Sequence, residues 1–123
     1  MSERFDELHW HDAVILSIEI DRRHPGEKDE VLLAVQWSDE QRERIRFFGC
    51  YGLEASLNFG VVAAETVMTA DEFEDTERLK GIRDQWSRLG VDLSALRCFV
   101  IKTNSTASTI AVYAQGWSRG FAT

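Results

Sequence analysis

Val14-Ile15-Leu16-Ser17-Ile18-Glu19-Ile20 is the stretch on which the fold turns. Val14, Leu16, Ile18 and Ile20 occupy alternate positions, with Ser17, Glu19 and Asp21 out of phase with them. Successive side chains of a strand point to opposite faces, so this period of two predicts a strand with one buried side. Val31, Leu33, Val35 and Trp37 repeat the pattern. The charged segment between them, Arg22 to Asp29 with Pro25-Gly26 inside it, reads as an exposed hairpin connection. After a Ser38-Asp39-Glu40 turn, Ile45 and Phe47 face one way and Arg42, Arg44 and Arg46 the other. Three strands joined by short turns predict an antiparallel meander, which Gly49-Cys50-Tyr51-Gly52 brings to an end.

Further along, residues 50–68 read as an irregular loop followed by a strand around 60–68, where Val61-Val62 and Thr66-Val67 are β-branched. Thr69-Ala70-Asp71-Glu72 matches a capping box, with Thr69 as cap. Leu79, Ile82, Trp86 and Leu89 form an apolar stripe at helical spacing, and Gly90 supplies a stop. Together these predict an amphipathic helix around 71–89. Cys98-Phe99-Val100-Ile101 and Thr109-Ile110-Ala111-Val112-Tyr113 flank a Ser/Thr/Asn turn and predict a C-terminal hairpin, with a glycine-punctuated tail at 116–121 expected to fray. The expected architecture is one α+β domain over residues 1–123: a mainly antiparallel sheet, meander plus hairpin, with one main helix. One helix covers one sheet face, so the other must be solvated, fold over as a second layer, or pack on a partner, including a second copy in a homodimer.

Composition narrows the function. The chain has 123 residues, with 21 acidic and 14 basic side chains, and a formal net charge of −7. Binding a phosphate backbone needs clustered Lys and Arg, so nucleic acid is an unsuitable partner. No apolar run approaches the roughly 18 residues of a membrane span. Cys50 and Cys98 are far apart, form no C-x-x-C element, and suit reduced thiols in the core. With an acidic N-terminal stretch that lacks an apolar region, the expectation is a cytoplasmic protein. Four Trp and 44% hydrophobic residues build a core without metal or disulfide, and no cofactor is implied.

Three constellations could carry chemistry. His9-Trp10-His11-Asp12 places two imidazoles two residues apart just before a strand, a spacing that lets both reach one metal ion if a third ligand converges. The plainer role for His11 or Asp12 is capping the first strand. Arg42, Arg44 and Arg46 could form an anion site, since guanidinium forks match carboxylate and phosphate. The plainer reading pairs them with Glu19, Asp21 or similar carboxylates on neighbouring strands. No G-x-S-x-G elbow and no glycine-rich phosphate loop is present. The third constellation is Glu65, Asp71, Glu72, Glu74, Asp75 and Glu77, with no Lys or Arg among residues 65–77. Helix-dipole stabilisation would explain part of that cluster, and a basic partner protein the rest. Charge is polarised overall: residues 1–92 carry a net −10 and residues 93–123 a net +3.

His11-Asp12-Ala13-Val14-Ile15, Val31-Leu32-Leu33 and Ile45-Arg46-Phe47-Phe48-Gly49 resemble a group of small bacterial β-meander proteins. In those, an H-D-[SA] turn precedes the first strand and a hydrophobic-Arg-Phe strand follows a short turn. Some proteins of this appearance are immunity proteins of contact-dependent or polymorphic toxin systems. The resemblance covers about the first 50 residues and implies no catalytic residue. The expected function is a non-enzymatic interaction domain, of the immunity type, that binds a basic partner through an acidic surface. Two alternatives are a small metal- or anion-dependent hydrolase using His9, His11 and Asp12 with Arg44, and a self-associating structural domain.

Overall fold

The computed structural model describes residues 4–121. A single 3-10 turn (Phe5–Glu7) leads into β1 (Val14–His24), β2 (Lys28–Gln36) and β3 (Arg42–Ser56). Then follow β4 (Val67–Phe73), α1 (Glu77–Ser87), β5 (Arg97–Thr103) and β6 (Thr109–Phe121). The six strands form one antiparallel sheet in the order β1-β2-β3-β6-β5-β4. Its two ends meet. Ile15 N–H donates to Glu65 O at 2.9 Å and Val67 N–H to Ala13 O at 2.7 Å, around a Val14–Thr66 bridge. The sheet therefore curls into a barrel that is closed at one end and splayed at the other. The α+β, mainly antiparallel architecture is as expected, and the question of the second face has an answer: the sheet folds over itself.

Alternation places Val31, Leu33 and Val35 of β2 and Ile45 and Phe47 of β3 inside, all nearly inaccessible. Val67, Phe99, Ile101, Ile110 and Val112 face them from the other strands. The lead-in segment fills the middle. Phe5 is completely buried, with ring centroids 5.7 Å from Phe47, 5.1 Å from Phe99 and 5.1 Å from Trp10. Trp10 Nε1–H donates to Phe5 O at 2.7 Å, which satisfies the indole inside the core. Full burial of each such aromatic stabilises the fold by about 1.5–3 kcal/mol.

A second, smaller core lies outside the barrel. Leu79 and Ile82 of α1 pack with Leu93, Leu96, Cys98 and Tyr113, so the helix covers β5, β6 and the distal part of β3. Arg83 ties it down, donating to the carbonyls of Glu74 (2.8 Å), Leu96 (2.6 Å) and Leu93 (3.3 Å). The helix is shorter than expected. Thr76 is its cap, its hydroxyl accepting from Leu79 N at 3.1 Å, and Leu89 lies beyond its end, 69% exposed. Thr69-Ala70-Asp71-Glu72 is strand instead, paired with residues 99–102 of β5. Local pattern favours a cap there, but pairing with a strand some thirty residues away prevails.

Four further expectations are corrected. A register shift between Ile15 and Ser17 puts Leu16 into β1 as an extra residue, so Ile15 and Ile18 pack on the core while Leu16 is 44% exposed; Ile20 shares the face of Ile18 but lies past the packed core and is 52% exposed. β3 does not stop at Gly49; it runs on to Ser56 through a bulge between Cys50 and Gly52. Gly49 has φ +60, and a Cβ there would crowd the Gln115 side chain, so glycine is favoured at the bend. Residues 57–66 lie outside any named strand, and the strand expected at 60–68 starts at Val67. The tail is not frayed either: Trp117 pairs with Phe47 and Arg119 with Ile45 in the β3–β6 ladder.

Candidate interaction surface

The arginine stripe stands on the outer face of β3, opposite the core-facing Ile45 and Phe47. β1, β2 and β3 are neighbours, so acids on the first two strands lie within reach across the ladder. Arg44 Nη2 is 3.2 Å from Glu19 Oε2. Arg46 holds Glu30 through Nη2 at 2.6 Å and Nε at 2.7 Å, and the Glu30 side chain is only 5% exposed. Arg42 Nε donates to Gln36 Oε1 at 3.0 Å. Beside them, Arg23 closes on Asp21 with two side-chain bonds of 3.0 and 2.8 Å and a backbone bond of 3.1 Å. These hydrogen bonds, with the guanidinium charge, hold the Asp21 carboxyl well below the usual carboxylate range. The stripe is occupied by the chain's own carboxylates and amide, and a free anion would have to displace them.

The acidic cluster divides in two. Glu65 belongs to the barrel closure, where its Oε2 accepts from Thr106 Oγ1 at 2.5 Å. Ser105 on the same turn donates to Ala64 O. Asp71 and Glu72 lie on β4, Glu74 and Asp75 in the connection, and Glu77 in the first turn of α1. Asp75 stands 3.9 Å from Lys80 Nζ. Among the described residues, the carboxylates of Asp71, Glu72, Glu74 and Glu77 take part in no ion pair or side-chain hydrogen bond. Phe73, 42% exposed, sits in the middle of this run.

His9 and His11 are exposed, and His11–Asp12 forms a turn before β1 rather than part of the strand. The two imidazoles therefore do not share a strand face. His11 Nδ1 is 3.6 Å from Asp12 Oδ1, with both side chains largely in solvent. Asp12 takes a left-handed φ of +63 that turns the chain into β1. No bond joins any of these residues to Arg44, and no three ligating side chains converge among the described residues.

β2 and β3 pair as far as Val31–Phe47, whereas β3 continues beside β6 to Ser56–Thr109. Where β2 leaves, a groove of about 740 Å³ opens between the β1–β2 hairpin, the β3 bulge and Trp86 of α1. Trp86 is half-buried, and its ring meets Tyr51 edge-on at 5.1 Å. Asp21, Glu27, Asp29 and Glu30 line the groove, against one base, Arg22. Cys50 also lines it, its Sγ directed to Phe47 O at 3.3 Å, and burial pushes the thiol up to about 11. Burial thus disfavours the thiolate, which is the nucleophilic form. The one signal in the sequence is Gly49 and Gly52 bracketing a would-be strand end, the mark of a bulge. No family model, curated protein or solved structure matches the chain.

Proposed function

We propose that this protein is a non-catalytic interaction domain, of the immunity type, that binds a basic partner protein through an acidic surface on the β4–α1 side. One observation carries the proposal. The arginines of the β3 face are matched by internal partners, while Asp71, Glu72, Glu74 and Glu77 have none among the described residues. Unpaired carboxylates on a folded surface create a field that steers a positively charged protein and speeds its association. Phe73 adds an apolar contact point amid that charge.

Screening supplies the test, because attraction between exposed charges fades beyond about 8 Å at physiological salt. Full-length protein immobilised as bait should retain a basic protein from its native host at 50 mM salt and release it at 500 mM. The variant Asp71→Asn/Glu72→Gln/Glu74→Gln/Glu77→Gln should lose that retention while keeping its circular dichroism spectrum. Retention unaffected by salt, or by the four substitutions, would remove the acidic surface from the function.

A further inference from the structure

We infer that the groove beneath the β1–β2 hairpin is the pocket in which an arginine-bearing segment of the basic partner is anchored. The inference rests on the basic-partner reading above and adds to it a specific place and a specific side chain.

The groove exists because two neighbouring strands differ in length. Its inner wall is the edge of β3 after Phe47, which has β6 on one side and, among the described residues, no paired strand on the other. The Gly49 bend and the bulge between Cys50 and Gly52 interrupt that edge, so side chains seated in the groove, rather than an added strand, would carry the contact. At about 740 Å³ the space admits several side chains.

Chemistry selects the occupant. Trp86 and Tyr51 supply aromatic surface at one wall. A guanidinium is planar, weakly hydrated and drawn to aromatic faces, so it suits that wall better than an ammonium. The opposite wall carries carboxylates. Asp21 and Glu30 are already engaged by Arg23 and Arg46, which leaves them as fixed acceptors rather than mobile charges. Glu27 at the hairpin tip has no side-chain partner among the described residues, and Asp29 accepts only from Gly26 N, at 3.1 Å. With Asp21 and Glu30 matched by Arg23 and Arg46, Glu27 and Asp29 stand against the single Arg22 and give the lining a slight acidic balance. An anionic segment would meet repulsion here, and a purely apolar one would leave Glu27 and Asp29 desolvated without a partner.

The experiment uses the full-length, ¹⁵N-labelled protein and a blocked peptide, acetyl-Gly-Arg-Gly-Arg-Gly-amide, as probe at low salt. Saturable shifts are expected at the Trp86 indole N–H, at Tyr51 and at the Glu27–Asp29 backbone. Replacing both arginines of the peptide by lysine should weaken binding about threefold, and replacing them by glutamate should abolish it. Glu27→Gln/Asp29→Asn, two surface changes that leave the core intact, should weaken the arginine peptide at least fivefold. Trp86→Leu, which keeps apolar bulk on α1, should do the same. The quadruple variant at 71, 72, 74 and 77 should leave peptide affinity within twofold. Shifts confined to residues 71–77 would overturn the groove while sparing the acidic-surface reading. Equal binding of arginine and glutamate peptides, or no saturable shift, would overturn it as well. Groove binding that persists while the bait experiment fails would instead remove the β4–α1 surface.

Discussion

On the outer face of β1–β3, Arg44 meets Glu19, Arg46 meets Glu30 and Arg23 closes on Asp21; at the β4–α1 corner, Asp71, Glu72, Glu74 and Glu77 meet no cation among the described residues. Both regions are strongly charged, and both cover the same aromatic interior. The difference lies in what flanks each strand. β3 is central, with acid-bearing strands on one side of it, so opposite charges fall across the ladder. β4 is at the sheet's end, with β5 as its ladder partner among the described residues; of the two bases on β5, Lys102 is distal, opposite Thr69, and Arg97 is turned to the carbonyls of Ser94 and Leu96. Charge that is matched inside the fold belongs to stability. Charge left unmatched at an edge is available to something outside, and it also discourages edge-to-edge pairing with a second copy.

The largest effects should come from below the paired face. Phe47→Ala removes a wholly buried ring that Phe5 and Phe99 both touch, and it should cost about 3–5 kcal/mol in urea unfolding. The matching change at the corner, Phe73→Ala, removes a ring that is 42% exposed and should cost under about 1 kcal/mol. Comparable losses at the two sites would mean that the corner is part of the core.

Next comes the pairing itself. Glu30→Gln keeps the shape but weakens a bond to Arg46 made at 2.6 Å by a carboxylate only 5% exposed. A cost of about 1–3 kcal/mol is expected, moderated because Arg46 can turn to water. Asp21 adds a pH signature. Its folded pKa is depressed, so its contribution is fully present above the unfolded value of about 3.9 and is lost as pH falls below that. Urea midpoints measured from pH 5 down to pH 2.5 should fall less steeply in Asp21→Asn than in the wild type. An identical acid limb in the two proteins would show that Arg23 does not hold that carboxylate.

These strands also mark how far the chain could be read in advance. β2 and the first half of β3 are legible because their alternation runs unbroken: Val31, Leu33, Val35, Ile45 and Phe47 all lie where period two puts them. β1 is not, because one extra residue at Ile15–Ser17 shifts the inward phase, and no local pattern announces a bulge. Glu19 could be named as a partner for the arginine face, whereas Glu30 could not, since it sits at the rim of a connection read as exposed. The groove was hidden for a different reason. Its walls come from three segments, and their meeting depends on where β2 stops pairing, a property of register rather than of composition.

The start of α1 tests the same lesson at smaller scale. Thr76→Ala removes the hydroxyl that accepts from Leu79 N and should cost about 1 kcal/mol. Thr69→Ala, at the position that imitates a cap, changes an exposed residue of β4 and should cost less than about 0.5 kcal/mol. Equal losses would return the helix start to residue 69.

The smallest expected change bears most on function. Neutralising Asp71, Glu72, Glu74 and Glu77 together removes four charges, yet stability should move by no more than about 0.5 kcal/mol. Among the described residues, none of the four carboxylates has a bond to lose. Three of them, Asp71, Glu74 and Glu77, are exposed, and mutual repulsion among all four is relieved when the charge goes. Only Glu77, in the first turn of α1, contributes favourably to the helix dipole, by about 0.3–1 kcal/mol, and that is enough to offset the relief. A quadruple variant that unfolds as the wild type does at 50 mM and at 500 mM salt would mark these carboxylates as surplus to the fold. A loss approaching that of Glu30→Gln would place them among its supports, and the contrast between the two charged regions would collapse.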